Sequence, residues 1–263
     1  MASAGHLGSL RCLDLSDNEL RDEGVRAIAL APQWVGLREL DLSTNGIGPE
    51  GVGWLARSSI WRGLTTLTLS DAAYAGLETR PFLGDASATA LADSSSLEKL
   101  GFWALTLGPR GAWELAGRDF SRLEALDLPF NGIGDEGFDY LLSRGRFPRL
   151  RRLSVQSAEL SAASVRALTN SPLLDRLTEL NLTYNQIGDE GAAVLATSAR
   201  ISRLRRLEIS ECGIGEEGAR ALAASPYLKR LQWLNLYQSP IRLPQDGSTA
   251  DMLVRRFGNR IWF

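Results

Sequence analysis

One unit recurs along the chain: leucines in the pattern LxxLxL, then a polar turn and a short Ala-rich run, clearest in Leu177 to Leu195, LTELNLTYNQIGDEGAAVL. Its first leucine stands at Leu10, Leu37, Leu64, Leu97, Leu123, Leu150, Leu177, Leu204 and Leu231. Successive copies begin 27, 27, 33, 26, 27, 27, 27 and 27 residues apart. A period of this length and constancy leaves little choice of architecture. Each copy is a strand-plus-helix module too small to bury its own apolar face, and only stacked neighbours close a continuous core. The 263 residues therefore form one solenoid rather than two globular domains.

The residue types of one unit follow from this stacking. Strand side chains alternate between faces, so the leucines of LxL enter the core and the residues between them face outward. The eighth residue after the first leucine, where the chain leaves the strand, is Asn18, Asn45, Ala72, Leu105, Asn131, Ala158, Asn185, Cys212 and Ser239. A buried Asn there (Asn18, Asn45, Asn131, Asn185) hydrogen-bonds backbone groups of its own and the adjacent loop that would otherwise stay unpaired. Gly-Asp-Glu-Gly or a variant follows, where Asp135 or Asp189 is expected to cap the first turn of a helix. Helix leucines Leu55, Leu141, Leu168, Leu195 and Leu222 return to the strand leucines. An apolar column three residues before each first leucine, interrupted at Ser94, puts Trp34 and Trp61 in the core.

Three irregularities stand out. Residues 2–10 align with 223–231, so the array (1–239) opens at 1–9 on the tail of a preceding repeat. Either more protein precedes it or a partner covers that edge. The third copy carries six additional residues between Ala73 and Gly84, near 74–84, read either as a loop on the binding face or as a tolerated surface loop. It lacks the ladder Asn, as does the fourth, so Ala72 and Leu105 mark an expected break in loop hydrogen bonding. Residues 240–263 abandon the repeat and form a capping segment, with Ile261, Trp262 and Phe263 expected to plug the last repeat's core.

Catalytic chemistry finds few footholds. Gly46 to Gly51, Gly132 to Gly137 and Gly213 to Gly218 match G-x-G-x-x-G between a strand and a helix. They recur in step with the repeat, their middle Ile belongs to the buried column, and carboxylates such as Asp135 and Glu136 stand where a pyrophosphate would. The single histidine, His6, is at a terminus, and with two scattered cysteines it forms neither a nucleophilic pair nor a zinc site. Carboxylate pairs such as Asp22/Glu23, Asp189/Glu190 and Glu216/Glu217 recur with the period, as helix-start charges do. No cofactor and no metal is expected, and the chain is read as not an enzyme.

With 29 Lys+Arg against 31 Asp+Glu, the net charge of −2 gives no global pull toward nucleic acid or membrane, and neither is an expected partner. Cys12 and Cys212 make no disulfide framework, and no secretory leader or apolar stretch of membrane-spanning length occurs, so a cytoplasmic location is expected.

What remains is the exposed sheet face, nine strands at about 4.8 Å each or roughly 40 Å in all. Its central outward row begins with Asp14 and Asp41 and includes Asp127 and Glu208; Trp103, Phe130, Tyr184, Trp233 and Tyr237 appear from the fourth copy onward. Large aromatics on a solvent-facing sheet mark an interface, and the acidic residues favour a partner with a basic surface. The expected protein-binding residues are thus Trp103, Phe130, Tyr184, Trp233, Tyr237, Asp41, Asp127 and Glu208. Packing on cross-strand neighbours is the other account of the same aromatics.

The unit LxxLxLxxNxIgdeGaxxLa resembles the ribonuclease-inhibitor-like subfamily of leucine-rich repeats over residues 10–240. IGDEGAAVLA, ALAASPYLKRLQWLNL and LVRRFGNRIWF are similar to repeat regions of bacterial multi-repeat proteins that carry a small N-terminal companion domain. The resemblance implies an α/β fold, a right-handed solenoid or horseshoe with a parallel β-sheet on the concave face and α-helices on the convex face. It implies a non-catalytic protein-protein interaction scaffold or, alternatively, the ligand-recognition part of a larger signalling protein or enzyme whose active domain lies N-terminal to this chain. Ribonuclease inhibition is not carried over, because the cysteine-rich, strongly acidic character that goes with it is missing.

Overall fold

The computed structural model describes residues 7–70, 83–91, 95–241 and 248–262. The insertion expected between Ala73 and Gly84 falls on residues outside these, as do Ala72, Ser94, His6 and Phe263. Ten strands form a single parallel sheet in chain order: β1 (Cys12–Asp14), β2 (Glu39–Asp41), β3 (Thr66–Ser70), β4 (Lys99–Trp103), β5 (Ala125–Asp127), β6 (Arg152–Ser154), β7 (Glu179–Asn181), β8 (Arg206–Glu208), β9 (Trp233–Asn235) and β10 (Ile261–Trp262). Between them lie α1 (Arg21–Ala29), α2 (Pro49–Ala56), α3 (Gly84–Ala90), α4 (Pro109–Ala116), α5 (Gly134–Arg144), α6 (Ala162–Asn170), α7 (Gly188–Thr197), α8 (Glu216–Ala224) and α9 (Thr249–Phe257), each packed on the next. Strands stack at about 4.8 Å and helices at roughly 8–10 Å, which puts the sheet on the concave side.

The strand register advances by one repeat at each step, so Leu40, Leu67, Leu100, Leu126, Leu153, Leu180, Leu207 and Leu234 form one inward row. All are buried, as are the helix leucines Leu55, Leu141, Leu168, Leu195 and Leu222. At roughly 1.5–3 kcal/mol per buried Leu, these rows supply the main cohesion between repeats. Trp61 is buried as expected. Trp34 is only half-buried, because its neighbour on one side of the stack is the short turn Leu7–Ser9.

The Asn ladder reaches backward along the stack. Asn185 Oδ1 accepts from the N–H groups of Ala158 (3.1 Å) and Leu160 (2.9 Å) in the preceding repeat, while its Nδ2 donates to the Val155, Leu182 and Thr183 carbonyls. Asn45 does the same for Asn18 and Leu20, and Asn131 for Leu105 and Leu107. Two expectations are corrected by this direction. Asn18 is exposed, its amide donating only to Leu15 and Ser16 of its own loop. Leu105 marks no break: its N–H is held by Asn131 and its carbonyl accepts from the Gly84 N–H at 2.7 Å.

The helix-start aspartates form a second column, and the helix each one caps is the next in the stack. Among the described residues Asp135 and Asp189 make no cap bond to their own helices, α5 and α7. Asp189 Oδ1 accepts from Gly215 (2.6 Å) and Gly218 (2.8 Å) at the start of α8. Asp135 accepts from Ser161 N–H and from the Ser161 and Ser164 hydroxyls at the start of α6. Asp22 serves α2 through Gly48 and Gly51, and Asp85 serves α4 through Gly108. A carboxylate in the first turn of one helix thus meets the positive end of the next helix's dipole. Small residues at the third helical position make room for it: a Cβ on Gly218 would stand 2.7 Å from Asp189 Oδ1. The same geometry disposes of the dinucleotide reading at Gly46–Gly51 and Gly213–Gly218, whose anion-binding N–H groups are occupied by the chain's own aspartates.

At the C-terminal end Ala250, Leu253 and Phe257 of α9 are buried over the last repeat, and Arg256 and Arg260 donate to the Ala223 and Leu231 carbonyls at 2.6 and 2.9 Å. The plug expected of Ile261, Trp262 and Phe263 is corrected at Trp262, while Phe263 lies outside the described residues. Ile261 continues the inward row, whereas Trp262, one residue on, takes the outward side next to Asn235 and is 56% exposed.

Candidate protein-binding face

Strand pairing converts the 27-residue spacing into rows across the concave face. The central outward row runs Asp14, Asp41, Thr68, Gly101, Asp127, Ser154, Asn181, Glu208, Asn235 and Trp262. At the strand ends stand Trp103, Phe130, Tyr184 and Tyr237, each 47–48% exposed. Trp103 leans over Gly101, where a Cβ would lie 3.5 Å from its Nε1. Tyr184 is hydrogen-bonded to Glu211, which raises its hydroxyl pKa above the usual value. Trp233 departs from expectation. It is half-buried, with the Arg206 guanidinium 5.1 Å from its ring centre and Trp262 at 6.4 Å.

Phe130 and Tyr184 have φ of 58° and 57°. The same position is left-handed in Asp17, Thr44, Ala104, Ser157, Glu211 and Gln238, so the repeat imposes the conformation. It costs an L-residue roughly 1–2 kcal/mol, and bulky aromatics suit it poorly.

The row two residues before the central one was missed apart from Trp233. It contains Cys12, Glu39, Thr66, Lys99, Ala125, Arg152, Glu179 and Arg206. Counting back by two from the central row would have found it. Its arginines change the electrostatics: Arg152 lies 3.7 Å from Asp127, and Arg206 lies 2.6 Å from Glu208. Two of the expected acidic contacts, Asp127 and Glu208, are therefore engaged within the chain, and Glu208 is buried. Burial pushes the Asp127 pKa up, Arg152 opposes this and Glu179 reinforces it. Asp41 remains half-buried, accepting from the Ser43 N–H at 2.9 Å.

Trp103, Asp127, Pro129, Arg152, Gln156 and Arg206 surround a shallow depression of about 310 Å³. Beside it, the buried Nε of Arg152 has no hydrogen-bond partner. Cys212 sits at a ladder position, its thiol donating to the Leu182 carbonyl and its pKa pushed by burial up to about 11. Among the described residues no three of His, Cys, Asp and Glu group as metal ligands, and no helix is long and apolar enough to cross a membrane.

A Leucine Rich repeat family model matches residues 6–29, 37–56, 122–142, 177–196 and 203–223. Among solved structures, a Bacteroides fragilis protein is 17% identical with a TM-score of 0.56, over 83% of this chain and 64% of that one. An internalin from Listeria monocytogenes is 18% identical (TM-score 0.49; 86% of this chain, 68% of that one), and the mouse RP105/MD-1 complex contains a chain 16% identical (TM-score 0.49; 97% and 41%). At these identities the likeness concerns the fold. No curated protein sequence gives a significant match. The repeat period, the ten-stranded parallel sheet and the family match together give this chain the α/β solenoid fold of leucine-rich repeats.

Proposed function

We propose that the chain is a non-catalytic scaffold, cytoplasmic and of the ribonuclease-inhibitor-like type, that binds a protein partner on its concave sheet face. The observation that carries this reading is the set of four half-exposed aromatics, Trp103, Phe130, Tyr184 and Tyr237, along one edge of the sheet. Two of them occupy a backbone conformation for which Gly or Asn is better suited. Interface hot spots are rich in Trp and Tyr. Asp14, Glu39 and Asp41 in the first two repeats favour a basic region of the partner on that end. A pull-down comparing wild type with Trp103→Ala/Tyr184→Ala tests the reading: loss of a specific partner supports it, and equal recovery of every specific partner removes it.

A further inference from the structure

The net charge of −2 hides an uneven distribution. The residue just before each repeat's first leucine lies in the segment leading from helix to strand, on the flank opposite the helix N-termini. In the last five repeats it is arginine every time: Arg122, Arg149, Arg176, Arg203 and Arg230. Parallel pairing stacks these positions at about 4.8 Å, so the row extends roughly 19 Å. Arg176 is half-exposed and the other four are exposed. Arg122 pairs with Glu98; among the described residues none of the other four lies within ion-pair distance of a carboxylate. Arg146 and Arg205, also exposed, add to the same flank. A file of unpaired guanidiniums repels itself, and an opposing charge relieves that repulsion.

A second feature adjoins the row. Between the segments that enter β6 and β7 lies a depression of about 370 Å³, with Leu142, Phe147, Pro148, Pro172 and Leu173 in its lining and Arg146 and Arg176 at its rim. An apolar dimple flanked by guanidiniums fits a peptide in which carboxylates surround an apolar side chain. Guanidinium forks match carboxylates in a bidentate manner.

We propose that this flank docks an extended acidic segment of a protein partner, with its carboxylates on the row from Arg149 to Arg230 and one apolar side chain in the dimple between Pro148 and Pro172. The exposed aromatics of the sheet, Trp103, Phe130, Tyr184 and Tyr237, stand at the far ends of the strands, so a nucleic-acid strand on the arginines would have none of them to stack on. This surface is separate from the concave face and selects the opposite charge.

The test is fluorescence anisotropy on the full chain with a labelled peptide of about ten residues, long enough at ~3.3 Å per residue to cover the row. The peptide is glutamate-rich with one central leucine. A single-stranded oligonucleotide and phosphatidylserine vesicles are run as competitors. The expected result is binding that weakens about tenfold or more between roughly 50 and 200 mM salt. Arg149→Ser/Arg176→Ser/Arg203→Ser should weaken it by about tenfold or more, whereas Trp103→Ala should leave it unchanged. If the triple variant does not fold, Arg203→Glu carries the comparison. No binding by wild type at low salt, equal binding by the variants, or tighter binding of the oligonucleotide or vesicles overturns the proposal.

Discussion

Asp189 begins one helix and caps the next: its Oδ1 accepts from the Gly215 and Gly218 N–H groups at 2.6 and 2.8 Å, a repeat further on. Asp189→Ala leaves those donators of the α8 N-terminus without their acceptor, and a loss of about 1–2 kcal/mol is expected in urea unfolding. Glu190→Ala, beside it, removes only an exposed pair with Arg166 and should cost about 0–1 kcal/mol. Equal costs for the two would contradict the inter-repeat cap.

The equivalent carboxylate in the fifth repeat gives a pH dependence. Burial works to raise the Asp135 pKa, but the hydrogen bonds from Ser161 and Ser164 together outweigh it and hold the pKa below the usual value. A lowered folded-state pKa contributes stability above the unfolded value of about 3.9, and that contribution is lost as pH falls through the folded value. Asp135→Asn should therefore flatten the fall in stability below about pH 4. An unchanged acid limb in thermal melts would count against it.

Asn185 is buried with five hydrogen bonds across two repeats, whereas Asn18 is exposed and its amide serves only its own loop. Asn185→Leu should cost about 1–3 kcal/mol, because it orphans buried backbone groups. Asn18→Leu should cost less, since water replaces what is lost. Denaturant midpoints of the two variants measure the difference.

Phe130 holds φ of 58° with half its surface exposed. Phe130→Asn relieves a conformation that costs roughly 1–2 kcal/mol and should raise stability by up to about 1 kcal/mol, while weakening capture of a concave-face partner. Opposite movement of melting temperature and partner recovery is the expected signature. A residue that merely packs on its neighbours would lose both together.

Cys12 is exposed and Cys212 is buried with its thiol pKa raised to about 11. A thiol reagent at neutral pH should modify one cysteine in the native chain and both after unfolding. Because the folded pKa of Cys212 exceeds the unfolded value, its contribution to stability is full below about 8.5 and declines as pH rises toward the folded value. Rapid modification of two thiols in the native state would place Cys212 outside the core.

The sequence by itself determined the repeat, the inward leucine rows and the ladder positions, because a period-two strand inside a constant spacing leaves one way to hide the leucines. It also exposed Trp103, Phe130 and Tyr184 as departures from an otherwise polar face. Tertiary structure alone decided which neighbour each polar side chain serves. Asp135 and Asp189 reach forward to the next helix and Asn185 reaches back, since stacking brings residues about 27 apart closer than the ends of a single loop. It likewise decided that Arg152 and Arg206 engage Asp127 and Glu208, and that Trp262 joins the sheet rather than the core. Those outcomes depend on distances between neighbouring rows, which a pattern read along one chain does not contain.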